Sequence, residues 1–210
     1  MLFGNASLPV LIGVAIALVV GITFHEFSHA FSADQLGDHR PRALGRVSLN
    51  PLRHLDPLGS LFVLIAGFGW GKPVPVNAYA LRPGRIGMTV VAIAGPIANF
   101  TVAVLAALLF RGLDAAGLLG GEFGRTVVFY VVYVNLALGF FNLIPIPPMD
   151  GYNGLLPLLP ARQALTVQRY AQYGFLVLLA LVVLSYGSSS GPLNWLFGLV
   201  FELTAGMTGA

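Results

Sequence analysis

Apolar residues fill four long stretches of this chain, and polar residues collect between them. The stretches are residues 7–30, 87–110, 126–143 and 170–186. A helix needs about 20 mostly apolar residues to cross the hydrocarbon core, so each predicts a transmembrane helix, the last two being on the short side. Residues 58–70 and 192–203 are shorter apolar runs. Runs of that length suit re-entrant or interfacial segments, or short spans buried among neighbours. The pattern predicts an all-α polytopic membrane protein of four to six transmembrane helices. One segment breaks it: residues 68–77 read Phe-Gly-Trp-Gly-Lys-Pro-Val-Pro-Val-Asn. Val alternating with Pro between Gly and Asn predicts a short β-hairpin or an edge strand.

Composition agrees with the pattern. The 210 residues are 57% hydrophobic and 9% charged, with a mean hydropathy of +0.83. Soluble domains carry about 25% charged residues, which excludes a soluble multi-domain architecture at this size. The pI near 9.5 reflects scattered loop arginines, without the basic runs that would suggest nucleic acid. With no cysteine, disulfides and thiolate metal sites are excluded. No repeat or linker divides the chain, so residues 1–210 are read as one transmembrane domain. The first apolar run is read as a retained helix because no basic residue precedes it.

Charge orients the helices. The connection from Phe31 to Ile86 carries seven basic residues against Asp34, Asp38 and Asp56, and Arg162 and Arg169 follow the third span. The positive-inside rule places these connections in the cytoplasm and the N-terminus outside, in the cell membrane.

No charge precedes Glu26, and Glu26 lies in His25-Glu-Phe-Ser-His29 at the end of the first apolar run. An acidic residue at a helix centre costs roughly 2.5–3.5 kcal/mol on insertion scales, so a functional reason is expected. Histidines at i and i+4 share one helix face and can reach one metal, with the intervening Glu as general base. Zinc in catalytic sites takes three protein ligands and keeps one position open. Candidates for the third are Asp34, Asp38, His39, His54, Asp56, Asp114, Glu122, Asp150 and Glu202. The orientation puts Asp114 and Glu122 on the far side. Asp150 follows a span that returns to the cytoplasmic side, after Asn142-Leu-Ile-Pro-Ile-Pro-Pro-Met. Those prolines stop the helix and stiffen the chain that presents the carboxylate. Asp150 is therefore the expected third ligand.

HExxH in an apolar helix followed by NxxPxxxxDG at the end of a later one resembles the site-2 protease family of intramembrane zinc metalloproteases. The runs Asn50-Pro51…Gly59, Trp70…Asn77 and Gly95-Pro96-Ile-Ala-Asn99 look like family blocks in family order. The resemblance implies one Zn2+ held by His25, His29 and Asp150, with Glu26 as catalytic base activating the zinc-bound water. It also implies Asn142 as a contact to the substrate backbone or the oxyanion. The chain resembles a compact member, without the PDZ or CBS domains of many relatives. The expected activity is hydrolysis of peptide bonds in or near transmembrane segments of membrane protein substrates, within the lipid bilayer.

Secondary expectations attach to four further places. Asn99 is either a hydrogen-bond partner near the site or plain interhelical glue. His54 and Asp56 are either a pair close to the site or parts of a capped loop. Lys72, Val74, Val76 and Asn77 would pair with an extended substrate by β-augmentation. The rival functions are a metal or ion transporter, which would spread polar residues through the membrane depth, and a catalytically silent scaffold that binds membrane helices.

Overall fold

The computed structural model describes residues 6–59, 71–186 and 191–209. Helix α1 spans Leu8–Gln35, with Pro9 in its first turn, where a missing N–H is harmless. A short α2 (Arg40–Ala43) and two 3-10 turns, Pro51–Arg53 and Ala78–Ala80, occupy the following connection. Helix α3 (Arg85–Ala115) contains Pro96, and α4 (Glu122–Asn142) returns antiparallel to it after a short connection. Then come α5 (Asp150–Leu155), α6 (Ala161–Tyr170), α7 (Gly174–Tyr186) and α8 (Asn194–Thr208).

Four stretches are long and apolar enough to cross a membrane: Leu8–Gln35, Arg85–Ala115, Glu122–Asn142 and Ala161–Ser185. The chain is a multi-pass membrane protein. The fourth stretch is made of α6 and α7, joined through the 3-10 turn Ala171–Tyr173. Residues 192–203 fall largely in α8, whose 15 residues reach about 22 Å at 1.5 Å per residue. That is shorter than the hydrocarbon thickness of about 30 Å. The run 58–70 lies almost wholly outside the described residues.

α1, α3 and α4 pack pairwise, α8 covers α3 and α4, and α5 lies against α3. Ala103, Ala107, Val132, Leu136 and Val200 form the central cluster, flanked by Phe100 and Phe140 with ring centroids 4.9 Å apart. Small residues on α3 let the helices approach closely, as expected where lipid supplies no hydrophobic drive between helices. Leu105, Leu108 and Leu109 point outward instead.

The expected hairpin or edge strand is not found in the described part of its stretch, residues 71–77, and residues 68–70 lie outside the described residues. Among the described residues there is no strand, only an antiparallel bridge between Leu55 and Gly71. The chain from Lys72 to Asn77 is irregular, and the reason is local. Pro73 and Pro75 have no N–H to give to a ladder. The N–H of Lys72 goes to the His54 carbonyl at 2.7 Å, the carbonyls of Lys72 and Pro73 go to Arg46, and the N–H of Asn77 goes to Asp38 at 2.6 Å. These bonds hold the two ends of the segment, Lys72–Pro73 and Asn77, to residues outside any strand.

Candidate metal centre

Histidines one helical turn apart on α1 project from the same face. Their Nε2 atoms are 3.0 Å apart, with the rings edge to face. Asp150, the first residue of α5, brings Oδ2 to 2.9 Å from Nε2 of His25 and 3.1 Å from Nε2 of His29. All three side chains are largely buried, and no other described His, Asp or Glu joins this group.

The opposite edge of each imidazole decides its tautomer. The Val91 carbonyl, 2.7 Å from Nδ1 of His29, can only accept, so Nδ1 carries the proton. Asn99 plays the same part for His25. Its Nδ2 donates to the Gly21 carbonyl at 3.1 Å and to Oδ1 of Asn135 at 3.2 Å, which leaves Oδ1 to accept from Nδ1–H of His25 at 2.7 Å. With both protons on Nδ1, two Nε2 lone pairs converge on a carboxylate oxygen. Three electron-rich atoms aimed at one point in a buried place fit a cation. Ligand atoms around a tetrahedral zinc stand about 3.3 Å apart for bonds of about 2.0–2.1 Å, close to the observed edges.

Two glycines make the geometry possible. A Cβ on Gly95 would overlap the His29 ring and stand 2.7 Å from Cε1 of His25. A Cβ on Gly151 would overlap the Leu143 carbonyl, so only glycine lets α5 start so close to the end of α4 and present Asp150.

Glu26 lies beside this group, largely buried, with Nη2 of Arg46 3.8 Å from its Oε2. Of the remaining acidic candidates, Asp34 is held by Arg42 in a bidentate pair (2.7–3.0 Å) and by His39 at 3.0 Å. Asp38 is held by Arg40, whose guanidinium keeps the carboxyl below its ordinary range although burial opposes it. Asp114 pairs with Arg125 at 2.5 Å, and Glu202 is exposed on α8.

His54 and Asp56 do not form a pair with each other. His54 is fully buried and donates from Nε2 to the Ser48 carbonyl at 2.6 Å. Burial lowers its pKa, in keeping with a neutral ring. Asp56 accepts the Gly59 N–H at 2.8 Å, a turn-capping bond. Asn142, the last residue of α4, donates to the Leu138 carbonyl at 3.0 Å, one turn back along its own helix. Sequence reasoning missed Asn135, and it gave no role at the site to Gly95, which it placed in a family block, or to Arg46, which it counted only as loop charge. Asn135 was legible only as a lone amide in an apolar span.

A family model described as Peptidase family M50 matches residues 121–185, which include Asn142 and Asp150. Over 179 residues the chain is 38% identical to the "Putative zinc metalloprotease YwhC" of Bacillus subtilis, covering 83% of this chain and 82% of that protein. The chain belongs to peptidase family M50, the site-2 protease family. Within it, the "Putative zinc metalloprotease Rip2" of Mycobacterium tuberculosis is 33% identical over 193 residues, 86% of this chain and 71% of that one. The "Putative zinc metalloprotease MJ0611" of Methanocaldococcus jannaschii is 31% identical over 156 residues, 71% of this chain and 72% of that one. No solved structure matches significantly.

Proposed function

We propose that this M50 peptidase is an intramembrane zinc endopeptidase that cuts peptide bonds in or near transmembrane segments of other membrane proteins. His25, His29 and Asp150 would hold one Zn2+. The observation that carries the reading is the convergence of two Nε2 lone pairs and a carboxylate, each imidazole oriented from behind by a committed acceptor. When bound, zinc supplies Lewis acidity for the scissile carbonyl and lowers the pKa of a water toward about 7. Glu26 is the base that takes the proton from the attacking water and returns it to the departing nitrogen. Asn142 keeps a second amide hydrogen for the substrate backbone or the oxyanion.

Loop charge supports a cytoplasmic opening for the site: α1 ends there, and α5 follows a span returning to the same side. The test is a purified protein with its zinc content measured, incubated with a model transmembrane peptide beside the Glu26→Gln variant. One zinc per chain is expected in both, with cleavage by the parent alone. Equal cleavage by both would remove Glu26 from the mechanism. Metal transport into vesicles without cleavage would replace the reading by a transporter.

A further inference from the structure

Arg46 lies in the connection after α1, yet its side chain is only 6% exposed. Charged residues are almost never buried unless paired, so its partners are informative. Nη1 donates to the Pro73 carbonyl at 3.2 Å, Nη2 donates to the Lys72 carbonyl, and Nη2 also faces Glu26. The buried Nε has no partner among the described residues. One guanidinium therefore bridges the base and two consecutive carbonyls of a neighbouring segment.

That segment is fastened at both ends. Gly71 is bridged to Leu55, Lys72 is bonded to the His54 carbonyl, and Asn77 is bonded to Asp38. A Cβ on Gly71 would stand 3.1 Å from Oε1 of Glu26, so the segment starts against the base. Between the anchors, the N–H groups of Val74 and Val76 make no hydrogen bond among the described residues. An extended substrate pairing with them would take its register from wherever the anchors hold them.

We propose that Arg46 is a positioning residue that sets which peptide bond of the substrate lies opposite Glu26. The proposal rests on the proteolytic reading above. A slip of one residue displaces an extended chain by about 3.3 Å, enough to present a neighbouring bond. Lysine cannot substitute. The planar guanidinium offers donors in a fixed fork, whereas an ammonium is a single point that cannot hold both carbonyls and face Glu26.

The test compares the purified, zinc-loaded full chain with Arg46→Lys and Arg46→Met on one model transmembrane peptide, reading rate and cut positions by mass spectrometry. Unchanged zinc content is expected, because Arg46 touches no proposed ligand. The rate should fall about tenfold or more, as for loss of a charge-assisted hydrogen bond, and the single main cut should spread to adjacent bonds. If the methionine variant does not fold, the lysine variant decides. If a variant yields too little product, hydrogen exchange at the Lys72 and Asn77 amides decides: faster than the parent is expected, and unchanged exchange overturns the proposal. An unchanged cut position in the folded variants, at any rate, also overturns it. No cleavage by the parent would instead fell the proteolytic reading, and this proposal with it.

Discussion

At the scale of single residues, the proposed metal centre depends on groups outside the His25, His29 and Asp150 set. Asn99 is buried in the bundle and uses both its carbonyl and its amide to fix His25. Residues that orient a metal-binding histidine are worth about 10–100-fold in metal affinity. Asn99→Leu should therefore weaken zinc binding by about that factor, measured by competition with a chelator of known affinity, while secondary structure by circular dichroism stays as in the parent. Gly95→Ala is expected to be more damaging, because its methyl would occupy the space of both imidazoles. The shared face of His25 and His29 was legible in the sequence from spacing, since i and i+4 on a helix leave little freedom, whereas Asp150 was reached through loop charge, the proline-rich break before it and the family resemblance. Asn99 was legible only as an alternative. Nothing in a sequence says whether an amide in an apolar helix faces a ligand, another amide or lipid, and that is decided by rotation and depth in the bundle. Asn135 was missed for the same reason.

At the scale of elements, Asp150, the proposed third ligand, arrives by way of a chain break. α4 ends at Asn142, three prolines carry the chain across, and α5 begins at Asp150. The shortness of that link depends on Gly151 lying against the Leu143 carbonyl. Gly151→Ala changes no ligand, yet it should push α5 away and draw Asp150 off the two histidines. The expected result is a zinc affinity lowered at least as far as by Asn99→Leu, together with a lower unfolding temperature of the zinc-free protein, because the clash is with backbone. Isothermal titration with zinc and thermal unfolding in chelator would read the two quantities separately. The four spans were legible because length and hydropathy constrain a helix in lipid strongly. The irregular course of residues 72–77 was not, because Val-Pro alternation reports extended backbone without reporting its partner. Here the partners are Arg46 and Asp38, residues distant in sequence and without any strand pattern.

At the scale of the whole molecule, the proposed function requires one face for chemistry and one topology in the membrane. The basic connection between α1 and α3 and the sparse link between α3 and α4 must lie on opposite sides if the spans are α1, α3, α4 and the α6–α7 stretch. The chain has no cysteine, so single cysteines can report sidedness without background. Tyr79, 99% exposed, and Leu118, 70% exposed, stand in those two connections. With Tyr79→Cys, a membrane-impermeant maleimide added to intact cells should label only after permeabilisation. With Leu118→Cys it should label directly. The reverse pattern would turn the protein over and open the metal centre to the outside, against the charge distribution of its loops. A substrate would then have to be cut from the opposite side of the membrane, and zinc would load from outside the cell. The depth of His25 and His29, near the end of α1 that leads into the basic connection, makes this labelling pattern a test of the active-site orientation as well as of the fold.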